Sequence, residues 1–581
     1  MLLFQKIAFV LVVCMFAAVG VGSLIAAEGG SSAAVENEAC APVDGNGSHH
    51  DANGPAASGL TPMAYTGTPV SSPNETSNLV VTKTELGLAS LEKAAVEAMT
   101  ANCSPDRRHF AIMVRTEEGE CMMLDGNKGK FYDRVYEELF SPDSKHLAYV
   151  AKSGGKYVVV VNGKEGKQYD MLWGNRIVFS PDGTRIAYAA RLAAAGEGVC
   201  LVVDGAESKA YPAVSKPVFS PDSKHVACIT GQESSVTADG VKGKGFLIVD
   251  GKEVRQVELT DAVIFSPDSA HWVCAVSNGG KWVVVKDGVD GKQYDGILGS
   301  PVFSSDSKHM AYLAVLDGKT VVVRDGEEGK KYMLLPLGGP NSFMLNDLKP
   351  MFSPDSQHFA YVAGEDNKYF IVMDGVEGKK YSLSVSVPLF SPDSKHLAYC
   401  AVEKGGSVLV VRDGVEGKEY RGVVGLLYSP DSSRLAYAAD TPKGWCLVVN
   451  DAEGKLYSDL RIRNAIATRE HKPLLAVAVF SSDSKHVAYV AKNEKSRYIV
   501  VVDDTEGKGY SYITNVTLSP DGKHVAYNAI GELGERYVVD GGEVGEPGCR
   551  LLTGLTFDSA TKCHGLMGKA TATLIEIEIK P

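Results

Sequence analysis

The stretch FSPDSKHLAY, residues 140–149, decides how this chain is read, because close copies of it recur along most of the sequence. Ser141-Pro142-Asp143-Ser144 has the composition of a tight turn: Pro fixes φ at the first central position, and Asp and Ser bond their own backbone. His146-Leu147-Ala148-Tyr149-Val150-Ala151 is a short apolar run with a bulky residue at every second position, which predicts a strand.

The Asp of the turn can be followed through Asp106, Asp143, Asp182, Asp222, Asp268, Asp306, Asp355, Asp393, Asp431, Asp483 and Asp521, with a worn twelfth copy at Phe557-Asp558-Ser559. Successive copies lie 37 to 40 residues apart, except for three steps of 46, 49 and 52. A strand-built period of this length predicts an all-β fold, a β-propeller of about twelve four-stranded blades, one per repeat. In the second copy, residues 135–140 read as the innermost strand, 145–151 as the second, 156–161 as the third and 167–172 as the outermost. The turn Asn162-Gly163-Lys164-Glu165-Gly166 joins the last two, with Gly supplying the positive φ that a tight hairpin needs. It recurs as DGVDGKQY from Asp287, DGEEGKKY from Asp325, DGVEGKKY from Asp374 and DGVEGKEY from Asp413.

Phe179-Ser180-Pro181-Asp182-Gly183 and its copies resemble the TolB-like, WD-type propeller repeats of bacterial envelope and secreted proteins, whose signature is a Phe-Ser-Pro-Asp-Gly turn leading into an apolar strand. The resemblance spans roughly residues 104–559, and most copies here carry Ser in the Gly position. It implies six-bladed rings in a secreted or periplasmic protein.

Twelve blades exceed the four to eight that usually close a ring, so two tandem six-bladed propellers are expected, 79–335 and 350–581, divided by an inter-blade insertion at 336–349. Division into four and eight blades, after Cys228, is the alternative. The last copy runs out after a third strand at 571–579, so residues 79–83 could supply its fourth strand; separate closure of two rings would instead give that strand to the first ring. Residues 88–99, LASLEKAAVEAM, have helical composition.

Before the repeats, Lys6 precedes an apolar run at 7–25 followed by Ala26 and Ala27, so residues 1–27 read as a signal peptide or an N-terminal membrane anchor. Residues 28–78, rich in Gly, Ser, Ala, Pro and Asn, read as a flexible tether. The expected location is therefore periplasmic or extracellular, with tethering through 7–25 as an option. The net charge of −12 argues against nucleic acid, whose phosphates need clustered Lys and Arg. Eleven cysteines lack the dense spacing of a disulfide framework and take core positions within the repeat, although Cys549 and Cys563 could pair.

Nine His share one repeat position: His109, His146, His225, His271, His309, His358, His396, His486 and His524, with Arg185 and Arg434 replacing it in two copies. A blade apart from one another, they cannot converge on a single ion at about 2.0–2.1 Å, and are read as solvated or turn-bonding. One carboxylate per turn is too few for calcium. The Tyr of the hairpin motif, as in Tyr169 and Tyr294, is read as blade-to-blade packing with a wet hydroxyl. Gly-x-Ser-x-Gly, HExxH, phosphate-loop and dinucleotide motifs are missing, and the repeats run nearly to Pro581. No cofactor, metal or catalytic residue is assigned.

Strand alternation puts the SPDS and DGxEGK turns on one regular face. The second-to-third links and the blade-to-blade links fall on the other, together with the insertions at 231–244, 334–349 and 461–472. Non-repeated loops on a rigid scaffold are where propellers carry function. The third insertion holds Arg461, Arg463, Arg469, His471 and Lys472, a basic patch on an acidic protein and the candidate partner-binding site. The expected function is a non-enzymatic scaffold that binds another protein or an envelope polymer. The alternative is a lyase or hydrolase acting on saccharide or peptide, with its site at a central channel.

Overall fold

The computed structural model describes residues 70–73, 78–86 and 97–580, apart from gaps at 173–176, 192–197, 232–244, 258, 261–262, 334–348, 461–477, 533, 547 and 569–571. Its strands form twelve antiparallel sheets that follow one another along the chain. The second blade shows the plan with strands Arg134–Phe140, Leu147–Ser153, Lys156–Val161 and Lys164–Tyr169. Leu147 to Ala151 are all buried, because the neighbouring blades cover both faces of this strand, whereas in the outermost strand only Tyr169 is buried.

The hairpin before that outermost strand is tighter than its sequence suggests. Asn162 (φ 51°) and Gly163 (φ 78°) form a two-residue turn with both φ positive, which matches the twist of the flanking strands. The strand therefore begins at Lys164 rather than at Lys167, and a bulge between Glu165 and Gln168 absorbs the remaining motif residues. Residues 171–172 belong to the next blade, where they pair with Ile186–Arg191.

Of the two routes of closure that the sequence left open, the chain takes the one through the last repeat, and extends it. Leu79–Leu86 pairs antiparallel with Ala572–Ile579 along its whole length, from Leu79↔Ile579 to Leu86↔Ala572, and completes the twelfth blade. Residues 70–73, assigned from composition to the tether, add a fifth strand to that sheet. Glu97–Cys103, which includes the end of the helix-like stretch, is the first strand of the first blade: pairing with Phe110–Thr116 overrides helix propensity.

The expected division into two six-bladed rings is not what the joints show, and neither is four plus eight. Blades 6 and 7, on either side of the supposed linker, share a core that includes Leu298, Leu313, Tyr332, Phe359, Tyr361 and Phe370. Blade 12 packs on blade 1 through Phe110, Leu566 and Leu574. Every blade thus meets the next in sequence, the last meets the first, and the protein is a single twelve-bladed propeller. A tandem pair would have needed blade 6 to face blade 1. The insertion at 336–349 interrupts the chain without interrupting the packing.

At the joints between blades 1 and 2, 10 and 11, and 11 and 12 the first strands of adjacent blades meet, whereas fourth strands stand further apart, so the first strands line the centre. With packed sheets about 10 Å apart and strands about 4.8 Å apart, twelve blades place the first strands on a circle roughly 24 Å across.

Candidate functional site: the regular face and the central channel

The repeated polar residues of the regular face bond to one another and to the ring. In eight of the nine histidines, Nδ1 lies 2.5–2.8 Å from the carboxylate that opens the DG hairpin, as in His225–Asp250 and His358–Asp374. The other oxygen of that carboxylate accepts the backbone N–H of the residue after the histidine, as Asp374 does from Phe359 at 2.9 Å. His146 has Asn162 in this role, at 2.7 Å. The turn-bonding reading of these histidines holds, and the Asp of the DG hairpin is the partner that was not foreseen. A positive φ at that Asp, 49° at Asp374, aims its side chain back along the hairpin.

The Asp of the SPDS turn is also occupied. Asp222 Oδ1 accepts from Ser220 Oγ at 2.6 Å and from the N–H of Lys224 at 3.1 Å. The serine hydroxyl beside it pulls the carboxyl of Asp182 down to about 2. The Ser that stands in the signature's Gly position explains itself structurally. Its φ is 63–66°, a region that usually calls for Gly, and its hydroxyl accepts the backbone N–H of the turn Asp in the preceding blade. Eight joints carry this clasp at 2.9–3.0 Å, including Asp106–Ser144, Asp222–Ser269 and Asp306–Ser356.

On the outer strands, the Lys of one hairpin motif meets the Glu of the next: Lys130–Glu165 at 2.7 Å, Lys292–Glu328 at 2.7 Å, Lys379–Glu416 at 2.7 Å. The motif Tyr packs edge-on against the second-strand Tyr of the following blade, as Tyr169 does on Tyr188 at 6.1 Å and Tyr381 on Tyr399 at 6.3 Å. These tyrosines are packing residues, as expected, but their hydroxyls are not wet. Tyr169, Tyr294, Tyr381 and Tyr510 are among the most deeply buried side chains of the protein, and Tyr510 donates to Glu543 at 3.0 Å. The following blade covers the end of the ring that was expected to reach water.

The channel wall is different in character. From Leu139 in blade 2 through Val218, Ile264 and Met351 to Val479 in blade 10, each first strand carries an apolar residue just before the Phe or Tyr of the turn motif; Val218 is exposed and the others named are half-buried. Leu139, Ile264 and Met351 pack in part against the cores between blades, and the strand that carries each is the innermost of its blade. In blades 11, 12 and 1 the same position holds Thr517, Thr556 and Asn102.

The patch of Arg461, Arg463, Arg469, His471 and Lys472 lies outside the described residues, as does the apolar run at 7–25. The ends of the insertions are described. Gly231 and Gly245 bound the first at a second-to-third link, and Met333 and Met351 bound the second between blades, both as expected. The third is placed differently. Leu460 pairs with Ala491 and Val479 with Ala488, so this insertion leaves and re-enters the first strand of blade 10 at the channel wall rather than in a blade-to-blade link. Sequence spacing locates an insertion between two turns but not within a strand, because the ladder partners are remote.

Cys549 and Cys563 are both free thiols, so that pairing is not made. Burial pushes the Cys228 and Cys563 thiols up to about 12, as suits core residues. Among the described residues, no group of three or more His, Cys, Asp or Glu side chains could hold a metal ion.

No family model and no curated relative matches the chain. Among solved structures it is similar to a eukaryotic initiation factor at 14% identity over 57% of this chain and 90% of that one, with TM-score 0.31. It is also similar to the Dos1 propeller at 14% identity over 56% and 95%, TM-score 0.28. A third likeness is to TolB from Acinetobacter baumannii, at 15% identity over 49% and 65%, TM-score 0.18.

Proposed function

We propose that this protein is an exported, non-enzymatic ring scaffold that holds another protein or an envelope polymer at its channel rim and insertion-bearing face. The observation that carries the reading is the contrast between two surfaces. On the regular face and outer wall, the repeated His, Asp, Ser, Lys and Glu side chains bond to neighbouring blades or to their own turns. The channel wall presents half-buried apolar side chains, and the insertion that carries the basic patch springs from that wall at Leu460 and Val479. Apolar surface beside irregular loops is the usual ground for a macromolecular contact. The acidic overall charge disfavours nucleic acid as the partner.

The test compares two triple variants of the full chain, captured from an envelope extract and cross-linked for identification of what is bound. Arg461→Ser with Arg463→Ser and Arg469→Ser should abolish capture of the partner. Lys224→Ser with Lys308→Ser and Lys395→Ser, on the regular face, should leave it intact. Equal capture by both variants, or loss only with the second, overturns the assignment.

A further inference from the structure

The clasp between blades is not continuous around the ring. It runs without interruption from Asp182–Ser223 to Asp431–Ser484, which joins blades 3 through 10. The remaining joints fall into two kinds. Between blades 11 and 12, the buried Tyr537 hydroxyl lies 3.0 and 2.5 Å from the carbonyl oxygens of Thr553 and Leu566, and Asn528 donates to Thr553 at 3.1 Å. Between blades 12 and 1, Arg107 donates to the Gly554 and Leu555 carbonyls, Arg108 pairs with Asp558 at 2.9 Å, and His564 Nε2 lies 2.8 Å from the Asp106 carbonyl. Blades 1 and 2 carry the clasp Asp106–Ser144, reinforced by Glu120 accepting the Val135 N–H at 2.8 Å.

At the joints between blades 2 and 3 and between blades 10 and 11, Gly stands where the clasp serine would be. Gly183 (φ 75°) and Gly522 (φ 73°) offer no hydroxyl to Asp143 or Asp483. The space for a side chain is taken: a Cβ on Gly183 would come within 2.4 Å of Asp143 Oδ1, and one on Gly522 within 2.4 Å of His486 Cδ2. These two joints keep the outer Lys–Glu pair and the tyrosine contact, as Lys167–Glu207 and Tyr169–Tyr188 or Lys508–Glu543 and Tyr510–Tyr527. Among the described residues no hydrogen bond takes the place of the inner clasp at either joint, and His146 only stacks on Phe179 across the 2/3 joint, at 6.4 Å.

We infer that the ring consists of two stiff arcs, blades 3–10 and blades 11, 12, 1 and 2, hinged at the 2/3 and 10/11 joints. The fastening missing at each hinge lies on the regular face, away from the splayed outer strands that remain paired. Movement at both hinges together swings the four-blade arc, which holds the chain closure, relative to the eight-blade arc. The polar positions Thr517, Thr556 and Asn102 belong to the moving arc, next to the apolar Leu139 of blade 2, and the apolar positions of blades 3–10 to the fixed one. Motion therefore changes the bore between a mainly polar and an apolar wall. This inference does not depend on what the channel binds.

Two measurements on the full chain test it. In hydrogen exchange, the backbone amides of Asp143 and Asp483 should exchange about tenfold faster than those of Asp222 and Asp355, the factor expected for one lost hydrogen bond. Ser394→Gly, whose φ of 65° suits Gly, should bring Asp355 to the level of Asp143. Spin labels on Cys replacing Lys145 and Lys224 span the 2/3 hinge, and labels on Cys replacing Lys308 and Lys395 span two blades of the clasped arc. The first pair should give the broader distance distribution, and the second pair should broaden when Ser394→Gly removes the clasp on Asp355. Uniform exchange around the ring, or equal distribution widths for the two pairs, overturns the inference.

Discussion

Ser356 Oγ accepts the backbone N–H of Asp306 at 3.0 Å across the joint between the sixth and seventh blades. The two residues are separated in sequence by the longest chain detour but one, yet their contact matches those at seven other joints. Ser356 holds φ at 66° to make it, and the hydrogen bond offsets the backbone cost of a non-Gly residue there. Ser356→Ala keeps the unfavourable φ and removes the acceptor. It should destabilise the joint by about 1–2 kcal/mol. Thermal unfolding followed by circular dichroism measures this, with Ser356→Gly falling between the wild type and the Ala variant.

The outer belt should separate packing from charge. Tyr381 has no exposed surface and packs on Tyr399, so Tyr381→Ala should cost about 3–5 kcal/mol, the range for removing a large buried ring. Lys379→Met cuts the ion pair with Glu416, whose side chains are 57% and 32% exposed, and should leave the unfolding temperature unchanged at physiological salt. Denaturant midpoints of the two variants provide the comparison.

Acid should loosen the regular face in a defined window. Serine hydroxyls bring the turn carboxyls of Asp182, Asp306 and Asp431 from the ordinary 3.8 down to about 2. A carboxyl with a lowered folded pKa adds stability that is complete above its unfolded value and disappears as pH falls through the folded one. The ring should therefore hold its melting temperature above pH 4 and lose it steeply between about pH 4 and 2. His109 works in the opposite sense. The hydrogen bond to Asp125 raises its pKa, so its contribution is present below the ordinary 6.5 and fades as pH rises through the folded value. His109→Gln should flatten that alkaline limb and leave the acid limb in place, as read from melting temperatures across pH.

Closure depends on one strand donated from the other end of the chain. Val81 pairs with Ile577 and is buried among Tyr537, Leu555 and Ile575. Val81→Asp puts a charge without a partner into that core and should release the strand, leaving the edge of 572–579 unpaired. Size-exclusion chromatography should then show association of the variant, reversed by adding a synthetic peptide of residues 70–86.

Blade number and the order of strands were legible from the copies of FSPDSKHLAY, because turn chemistry and alternation are local. The shortened last repeat showed a missing strand, but which ring is completed by residues 79–83 was settled only by their pairing with Ala572–Ile579. The meaning of Ser at the Gly position was not legible. A positive φ explains why Gly is usual there, but the partner of the Ser144 hydroxyl is Asp106, 38 residues away in the neighbouring blade. The DG hairpin similarly shows as a turn in sequence, while its role in holding a histidine such as His396 on Asp413 depends on two strands meeting. The basic patch from Arg461 to Lys472 was found as a composition, and its attachment to the channel wall came from the pairing of Leu460 and Val479 with one strand.

By itself the sequence determined that this chain builds about twelve similar antiparallel blades, since each blade is specified by contacts within some forty residues. Only the tertiary structure decided that they close as one ring. How many blades complete a circle depends on the angle at which one packs on the next. That angle is set by side chains such as Tyr332 and Tyr361, Phe110 and Leu574, meeting across joints whose geometry no single repeat contains.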